Sequence, residues 1–270
     1  MLDVTYGEAT DPGKVRTNNE DSILAWVPKS RQLARSHGWM FALSDGVGGM
    51  DRGEVASRIA VETLAKGFEE AQDSTSLAAL MPRLAQHANA EIHNETLRAD
   101  KRGGKMAATL VCCALRHDQA VVAHVGDSRC YLVRDGEAKP LTRDHTWVNE
   151  QRKLGLISAA EAEESDAKHI LTRSLGPELF ITADTTTLRL QPGDTFVLCC
   201  DGLHNAIPAQ KIAEVVSGGS GTQPEMQAIA ERLVEYAVQE DGSDNTTAQV
   251  IRVRSIERVA MYRGQVYSLR

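Results

Sequence analysis

The feature that most restricts the fold of this chain is the shortness of the polar links between its apolar runs. Two residues separate the runs at 107–116 and 119–125, and three separate the runs at 180–190 and 194–200. Links this short join only antiparallel neighbours, because a crossover between parallel strands needs a dozen or more residues. The chain is therefore predicted to form antiparallel sheets, and a doubly wound parallel sheet is disfavoured.

Apolar runs and helical periodicity predict the order of the elements. The candidate strands are bounded by Gly, Asp or Asn and lie at 2–8, 22–27, 38–44, 107–116, 119–125, 128–134, 180–190, 194–200 and 247–253. Apolar residues recur at helical spacing over 53–69 and 77–97, and Pro82 predicts that the second helix starts late or kinks. Further helices are predicted from Pro208 and Thr222. Two packed sheets flanked by helices, an α+β fold, are expected.

Composition excludes several classes of protein. The chain has 270 residues, of which 42% are hydrophobic and 25% charged, as in a soluble globular domain with a substantial core. A net charge of −7 argues against a nucleic acid or anionic lipid partner. The longest apolar run, 107–115, is too short to insert into a membrane, and the first residues lack the pattern of a secretory signal. We therefore expect a cytoplasmic protein.

Cysteine chemistry is not predicted to carry the function. The five cysteines lie inside apolar runs without CxxC spacing, which predicts buried, reduced thiols and neither disulfides nor a zinc site. None is followed six residues later by the arginine that a phosphatase cysteine would require.

Acidic residues at the ends of apolar runs form the main chemical pattern. Three runs end beside an Asp and Gly pair, and acidic residues also precede two others, giving the set Glu20, Asp21, Asp45, Asp127, Asp201 and Asp244. Any single pair is explained by the preference of Asp and Gly for turns. If the whole set meets at one sheet edge, however, its repulsion requires neutralising cations. Hard oxygen ligands without a His or Cys set predict Mg²⁺ or Mn²⁺.

Such a cluster suits phosphoryl transfer to water. Two divalent ions about 4 Å apart can activate a water and shield the charge of a phosphoryl group. Arg16, four residues before Glu20, is suited to hold the phosphate oxygens. The alternative for Arg16 is an ordinary solvated surface charge.

Six motifs occur in an order that matches a known family. They are RTNNED at 16–21, DGVGG at 45–49 with GEVAS at 53–57, GDSR at 126–129, LTRSLG at 171–176, DGL at 201–203 and DN at 244–245. Together they resemble the PP2C (PPM) family of metal-dependent protein serine/threonine phosphatases in its compact bacterial form, over about residues 5–253. The resemblance implies an αββα four-layer sandwich of two mainly antiparallel sheets flanked by helices, with a binuclear Mn²⁺ or Mg²⁺ centre.

The resemblance also implies the ligands of the two ions. Asp45 would bridge them, and Gly46 would offer its carbonyl oxygen. Glu20 would hold one ion largely through water, and Asp201 and Asp244 would hold the other.

Three further roles are implied by the same motifs. Asp127, with Asp201, would bind a weaker third ion. Asp21 would orient coordinated water from behind the ligands, and Arg16 would bind the substrate phosphate; these two are the candidate catalytic residues.

The implied domain organisation is a phosphatase domain over 1–253 and a tail over 254–270. Residues of about 145–170 are charged, Ala-rich and helix-prone, and would form the variable flap of the family, which influences substrate access and binding of the third ion. The tail is predicted to be a final strand or a docking segment.

The chain departs from the family at several positions. Many relatives have a histidine directly after the first Asp-Gly pair or after the second glycine pair, where this chain has Val47 and Met50. The general acid is therefore unassigned: His124 and His204 lie beside ligand motifs, but a water at the metals could serve instead. Asn205 replaces an aspartate of some relatives, so weak binding of a third ion is expected.

These observations predict a phosphatase for phosphoserine and phosphothreonine in proteins. Its partners would be phosphorylated proteins and a bacterial eukaryotic-like Ser/Thr kinase with its targets, such as FHA-domain proteins, and the chain would act as a monomer. One alternative is a catalytically weak pseudophosphatase that acts as a binding module, and another is a metallohydrolase for nucleic acids or sugar phosphates. The negative net charge argues against nucleic acid.

Overall fold

The computed structural model describes residues 1–47, 52–99, 105–165, 167–217, 219, 221–262 and 265–269. The described residues do not include the last two residues of the DGVGG motif, Gly48 and Gly49, or the next residue, Met50.

Twelve strands occur in the described chain, and their pairings are antiparallel. They are β1 (Leu2–Asp11), β2 (Ser22–Trp26), β3 (Trp39–Ser44), β4 (Leu110–Arg116), β5 (Gln119–Val125), β6 (Arg129–Arg134), β7 (Glu137–Pro140), β8 (Asp184–Arg189), β9 (Thr195–Cys199), β10 (Thr246–Ile256), β11 (Arg258–Tyr262) and β12 (Gln265–Leu269). All nine predicted strands are present; β5 has the predicted bounds, and the other eight have shifted ends. β7 was not predicted, because its sequence EAKP lacks an apolar alternation.

Eight helices occur in the same residues. They are α1 (Arg31–Ser36), α2 (Gly53–Glu69), α3 (Leu77–Ala99), α4 (Trp147–Lys153), α5 (Ala159–Glu164), α6 (Asp201–His204), α7 (Ala209–Ser217) and α8 (Gln223–Glu240). α8 begins with a capping box at Thr222, as its sequence predicts. α3 starts at Leu77 and continues through Pro82, so a late start is not observed. The hydroxyl and carbonyl of Ser76 accept hydrogen bonds from the first turn of α3 and define its beginning.

The elements form four layers. One five-stranded sheet has the order β1-β10-β9-β6-β7, and the other has the order β2-β3-β4-β5-β8. Helices α2 and α3 pack against the second sheet, whereas α6, α7 and α8 pack on the first. A third apolar cluster fills the space between the two sheets. The αββα sandwich expected from the sequence is therefore confirmed.

The alternation of side chains on β3 shows how one strand serves two cores. Phe41 and Leu43 point into the core between the sheets, while Met40 and Ala42 pack under α2 and α3. All four are fully buried. Because both faces of the strand are covered, the run is continuously apolar up to the polar residues at its end.

The cysteines are in the state that the sequence predicts, since all five are free and buried. None of the described helices combines the length and apolar character that a membrane crossing requires. Strands β11 and β12 pair with each other as a two-stranded sheet. The division into a domain over 1–253 and a tail stays a prediction.

We expect Phe41→Ala to lower the free energy of unfolding by about 3 to 5 kcal/mol, because it opens a cavity between the sheets. Urea unfolding followed by circular dichroism measures the change. The matched control is Phe180→Ala, at a side chain that is 79% exposed, where a change below about 0.5 kcal/mol is expected. Equal effects at the two positions would contradict the assignment of Phe41 to the core.

Candidate metal centre

A cavity of about 720 Å³ opens at one end of the sandwich and collects most of the predicted site residues. The lining includes Arg16, Glu20, Asp45, Gly46, Asp127, Asp201 and Asp244. The pairing explains the convergence, because the start of β2 lies beside the end of β3, and the end of β9 lies near the start of β10. Residues that are far apart in sequence therefore meet where strands of both sheets end.

The backbone of Asp45 is fixed by Thr109. The Thr109 N–H donates to the Asp45 carbonyl oxygen at 2.8 Å, and the Asp45 N–H donates to the Thr109 hydroxyl at 3.1 Å. The same hydroxyl lies 2.6 Å from the Ser128 hydroxyl, next to Asp127. Two acidic loops are thus held by one buried threonine.

Two glycines allow the loop after β3 to approach the start of α2. A Cβ on Gly46 would lie 2.5 Å from a backbone atom of Gly53, and a Cβ on Gly53 would lie 2.4 Å from Glu20 Oε2. The absence of side chains at both positions places the Glu20 carboxylate against the first residue of α2. The positive end of the 17-residue helix favours a negative charge there.

Arg16 contacts an acid of the cluster directly. Its Nη2 atom donates to Asp244 Oδ2 at 2.7 Å, and this hydrogen bond raises the pKa of Arg16. Asn245 organises the neighbouring loop, because its Oδ1 accepts from the Glu20 N–H at 2.8 Å and its Nδ2 donates to the Asn18 carbonyl at 2.9 Å. The guanidinium lines the cavity from a loop whose backbone is held by the Asn245 side chain.

Asp21 lies behind the cavity and does not line it. The Thr247 hydroxyl donates to Asp21 Oδ2 at 2.5 Å, whereas the buried Oδ1 has no hydrogen-bond partner. Potential ligand atoms of Asp21, Asp45 and Cys200 lie within 4.8 Å of one another. Burial raises the pKa of Asp21 to about 7.

Burial and mutual repulsion raise the pKa values of the other acids. The pKa of Asp45 lies well above its ordinary value because the group is buried and faces Asp21, Asp201 and Asp127. Burial, followed by repulsion from Asp201, raises the pKa of Asp127 to about 7. The pKa of Asp201 is raised by burial and by Asp244.

The arrangement fits the divalent ions that the family implies. Its donors are mainly carboxylate oxygens, which suit Mg²⁺ and Mn²⁺. The unpaired Asp21 Oδ1 and the repulsion around Asp45 are both relieved by nearby positive charge.

The sequence did not predict the cavity residues that come from segment 145–170 and from the loop before β10. Lys168 and His169 line the cavity, as do Asp241 and Ser243. These residues carry no local pattern that separates them from ordinary surface residues, so only the tertiary structure identifies them. Asn205 lines the cavity as expected, but His124 and His204 are not among its lining residues.

We expect Asp45→Asn to raise the unfolding temperature of the metal-free protein at pH 8, because it removes a buried charge surrounded by other carboxylates. Each kcal/mol of relieved repulsion should raise the unfolding temperature by about 2 to 4 °C. The gain should shrink as the pH falls, since the raised pKa lets the wild-type Asp45 carboxyl take up a proton in the folded state.

Calorimetric scans in EDTA and in excess Mn²⁺ test this prediction. In Mn²⁺ the order should reverse, because the wild type binds the ion more tightly than the variant. A variant that is less stable than the wild type in both solutions at pH 8 would refute the repulsion argument.

The comparisons with known proteins agree with this geometry. The model of the family described as "Protein phosphatase 2C" matches residues 14–251. Protein phosphatase PhpP of Streptococcus pneumoniae is 34% identical over 244 residues, which is 90% of this chain and 94% of the relative.

Two solved structures are also similar. The Mycobacterium tuberculosis serine/threonine phosphatase PstP/Ppp superposes with a TM-score of 0.80 at 30% identity, covering 93% of this chain and 99% of the other. The catalytic domain of the serine/threonine protein phosphatase PstP in complex with two manganese ions gives a TM-score of 0.77 at 31% identity, covering 94% and 100% of the two chains. Because the family model spans residues 14–251, this chain belongs to the protein phosphatase 2C family.

Proposed function

We propose that this chain is a metal-dependent phosphatase that hydrolyses phosphoserine and phosphothreonine in proteins. The observation that carries the proposal is the convergence of Glu20, Asp45, Asp201 and Asp244 on one cavity that Arg16 also lines. Membership of the protein phosphatase 2C family and the similarity to named serine/threonine phosphatases support the same activity.

The proposed cofactors are two Mn²⁺ or Mg²⁺ ions. Glu20, Asp45, the Gly46 carbonyl, Asp201 and Asp244 would hold them, in keeping with the two manganese ions of the similar PstP structure. Such ions, when bound, lower the pKa of water and neutralise phosphoryl charge.

A third and weaker ion is proposed at Asp127 and Asp201. Both carboxylates line the cavity, and repulsion from Asp201 contributes to the raised pKa of Asp127. Asn205 faces the same cavity as a neutral amide, which adds no negative charge to attract a further cation.

The chain's own residues would bind and orient the substrate. Arg16 is proposed to exchange its hydrogen bond with Asp244 for the phosphate oxygens, since a guanidinium donates charge-assisted hydrogen bonds to either anion. Asp21, fixed by the Thr247 hydroxyl, is proposed to orient the attacking water through its unpaired Oδ1.

The substrates would be phosphorylated proteins made by a Ser/Thr kinase. FHA-domain proteins, which recognise phosphothreonine, are proposed among the targets. A monomer in the cytoplasm is proposed, and the five free, buried cysteines are typical of a reducing compartment.

The alternatives are less well supported. A pseudophosphatase that only binds partners gives no reason to bury mutually repelling carboxylates in one cavity. A nuclease is disfavoured by the net charge of −7.

We expect Mn²⁺-dependent hydrolysis of a phosphothreonine peptide, and Asp201→Asn should lower kcat by a factor on the order of 10³, because metal stabilisation of the transition state contributes several kcal/mol. Phosphate release measures the rate. Asp118→Asn, at the exposed β4–β5 turn, is the matched control and should retain wild-type activity. Unchanged turnover in Asp201→Asn would place the catalytic centre elsewhere.

Replacing Arg16 should mainly weaken substrate binding. Arg16→Ala is expected to raise KM for the peptide about tenfold or more, because a charge-assisted hydrogen bond contributes about 1.5 to 3 kcal/mol. Steady-state kinetics measure KM and kcat separately, with Arg232→Ala on the exposed side of α8 as the control. An unchanged KM would show that Arg16 is an ordinary solvated surface charge and does not bind the phosphate.

A further inference from the structure

Hydrolysis of a phosphoserine or phosphothreonine needs a proton donor for the departing side-chain oxygen. An alkoxide is a poor leaving group, and a positioned acid accelerates such a step by about 10² to 10⁴. Except for Asp241, which accepts a hydrogen bond from the Ser243 hydroxyl, the carboxylates that line the cavity are the proposed metal ligands, and Arg16 does not release its proton. The candidates for the donor are therefore the histidines of the described chain, since histidine is the side chain that most often serves as a general acid.

The histidines beside the ligand motifs are unsuitable. His204 is half-buried, its Nε2 lies 3.0 Å from the Asp127 carbonyl oxygen, and the loss of solvation lowers its pKa to about 4. His124 stacks on His145 with ring centroids 4.6 Å apart, and its Nε2 lies 2.9 Å from the Arg143 carbonyl oxygen. Burial lowers the pKa of His145 to about 4 as well. These imidazoles are neutral, packed and outside the cavity lining.

His169 differs in position and exposure. It is exposed and lines the cavity together with Asp127 and Asp201. Its positive charge reaches the cluster, since it lowers the pKa of Asp201 against the effect of burial. Among the described residues that line the cavity, it is the one histidine.

The backbone fixes the segment that carries His169. The Ile170 N–H donates to the Ala167 carbonyl at 3.1 Å, which closes a turn with His169 inside it. The Trp147 N–H then donates to the Ile170 carbonyl at 2.8 Å, and Thr146 and Leu171 form a β-bridge. The imidazole is thus presented to the cavity from a turn that is tied to the root of the flap.

We propose that His169 is the general acid for the leaving group, an assignment that rests on the proposed phosphatase function. The attacking water oxygen forms a bond to phosphorus as the bond from phosphorus to the serine or threonine Oγ breaks. The imidazolium of His169 gives its proton to that Oγ, which leaves as the neutral hydroxyl. The proton lost by the water leaves with phosphate or passes to solvent, and the imidazole regains a proton from water.

The dependence on the leaving group tests the proposal. The aryloxide of p-nitrophenyl phosphate departs without protonation, whereas the alkoxide of a phosphoserine peptide does not. We expect His169→Gln to lower kcat on the phosphoserine peptide by about 100-fold or more and to change kcat on p-nitrophenyl phosphate less than threefold. Calorimetric titration with Mn²⁺ should show wild-type binding in the variant.

His87→Gln is the matched control, at a histidine on α3 whose side chain is 57% exposed and pairs with Glu91. It should behave as wild type on both substrates. If His169→Gln lowers kcat equally on both substrates, or lowers it on neither, the role of His169 as the general acid is wrong. The proposed phosphatase function is unaffected by either result. A wild type inactive on both substrates would instead overturn the phosphatase function, and the His169 assignment with it.

Discussion

Repulsion among buried carboxylates is the constraint on which the organisation of this molecule depends. Asp127 is buried and Asp21, Asp45 and Asp201 are half-buried near it, and repulsion from neighbouring acids helps to raise the pKa of each. A fold that gathers these groups has to compensate for the unfavourable energy through the rest of the structure or through bound cations. This requirement explains why the residues around the carboxylates are held firmly in place.

The scaffold resists the repulsion by fixing each acidic loop through its backbone. Thr109 holds Asp45, and Asn245 holds the loop of Glu20, in both cases with hydrogen bonds that do not use the acidic oxygens. The carboxylate oxygens are thereby left available to a ligand, while the main chain cannot relax away from the cavity. Strands with both faces buried, such as β3, provide the packing energy behind these loops.

The sequence predicts the fold well where one local rule decides the outcome. Continuous apolar runs identify the buried strands, and their short links require antiparallel pairing, which the register of β4 with β5 shows. The exposed strand β7 lacks such a run and could not be found in this way. The grouping of the acids was predictable because each one follows or precedes a strand at the same end of the sandwich. Lys168 and His169 were not, because their approach to the cavity depends on how the flap folds back.

Segment 145–170, whose path could not be predicted from the sequence, is anchored to the sandwich, whose strands could be predicted. His145 begins the flap, and its N–H donates to the Gly126 carbonyl at 2.9 Å while its Nδ1 accepts from the Gly126 N–H at 3.1 Å. The His145 carbonyl also accepts from the Thr172 N–H at 2.9 Å, where the flap returns to the sandwich. One buried histidine therefore holds both ends of the flap to the residue that precedes Asp127. The segment that carries His169 and the loop that carries Asp127 therefore share one support, made of a few short hydrogen bonds.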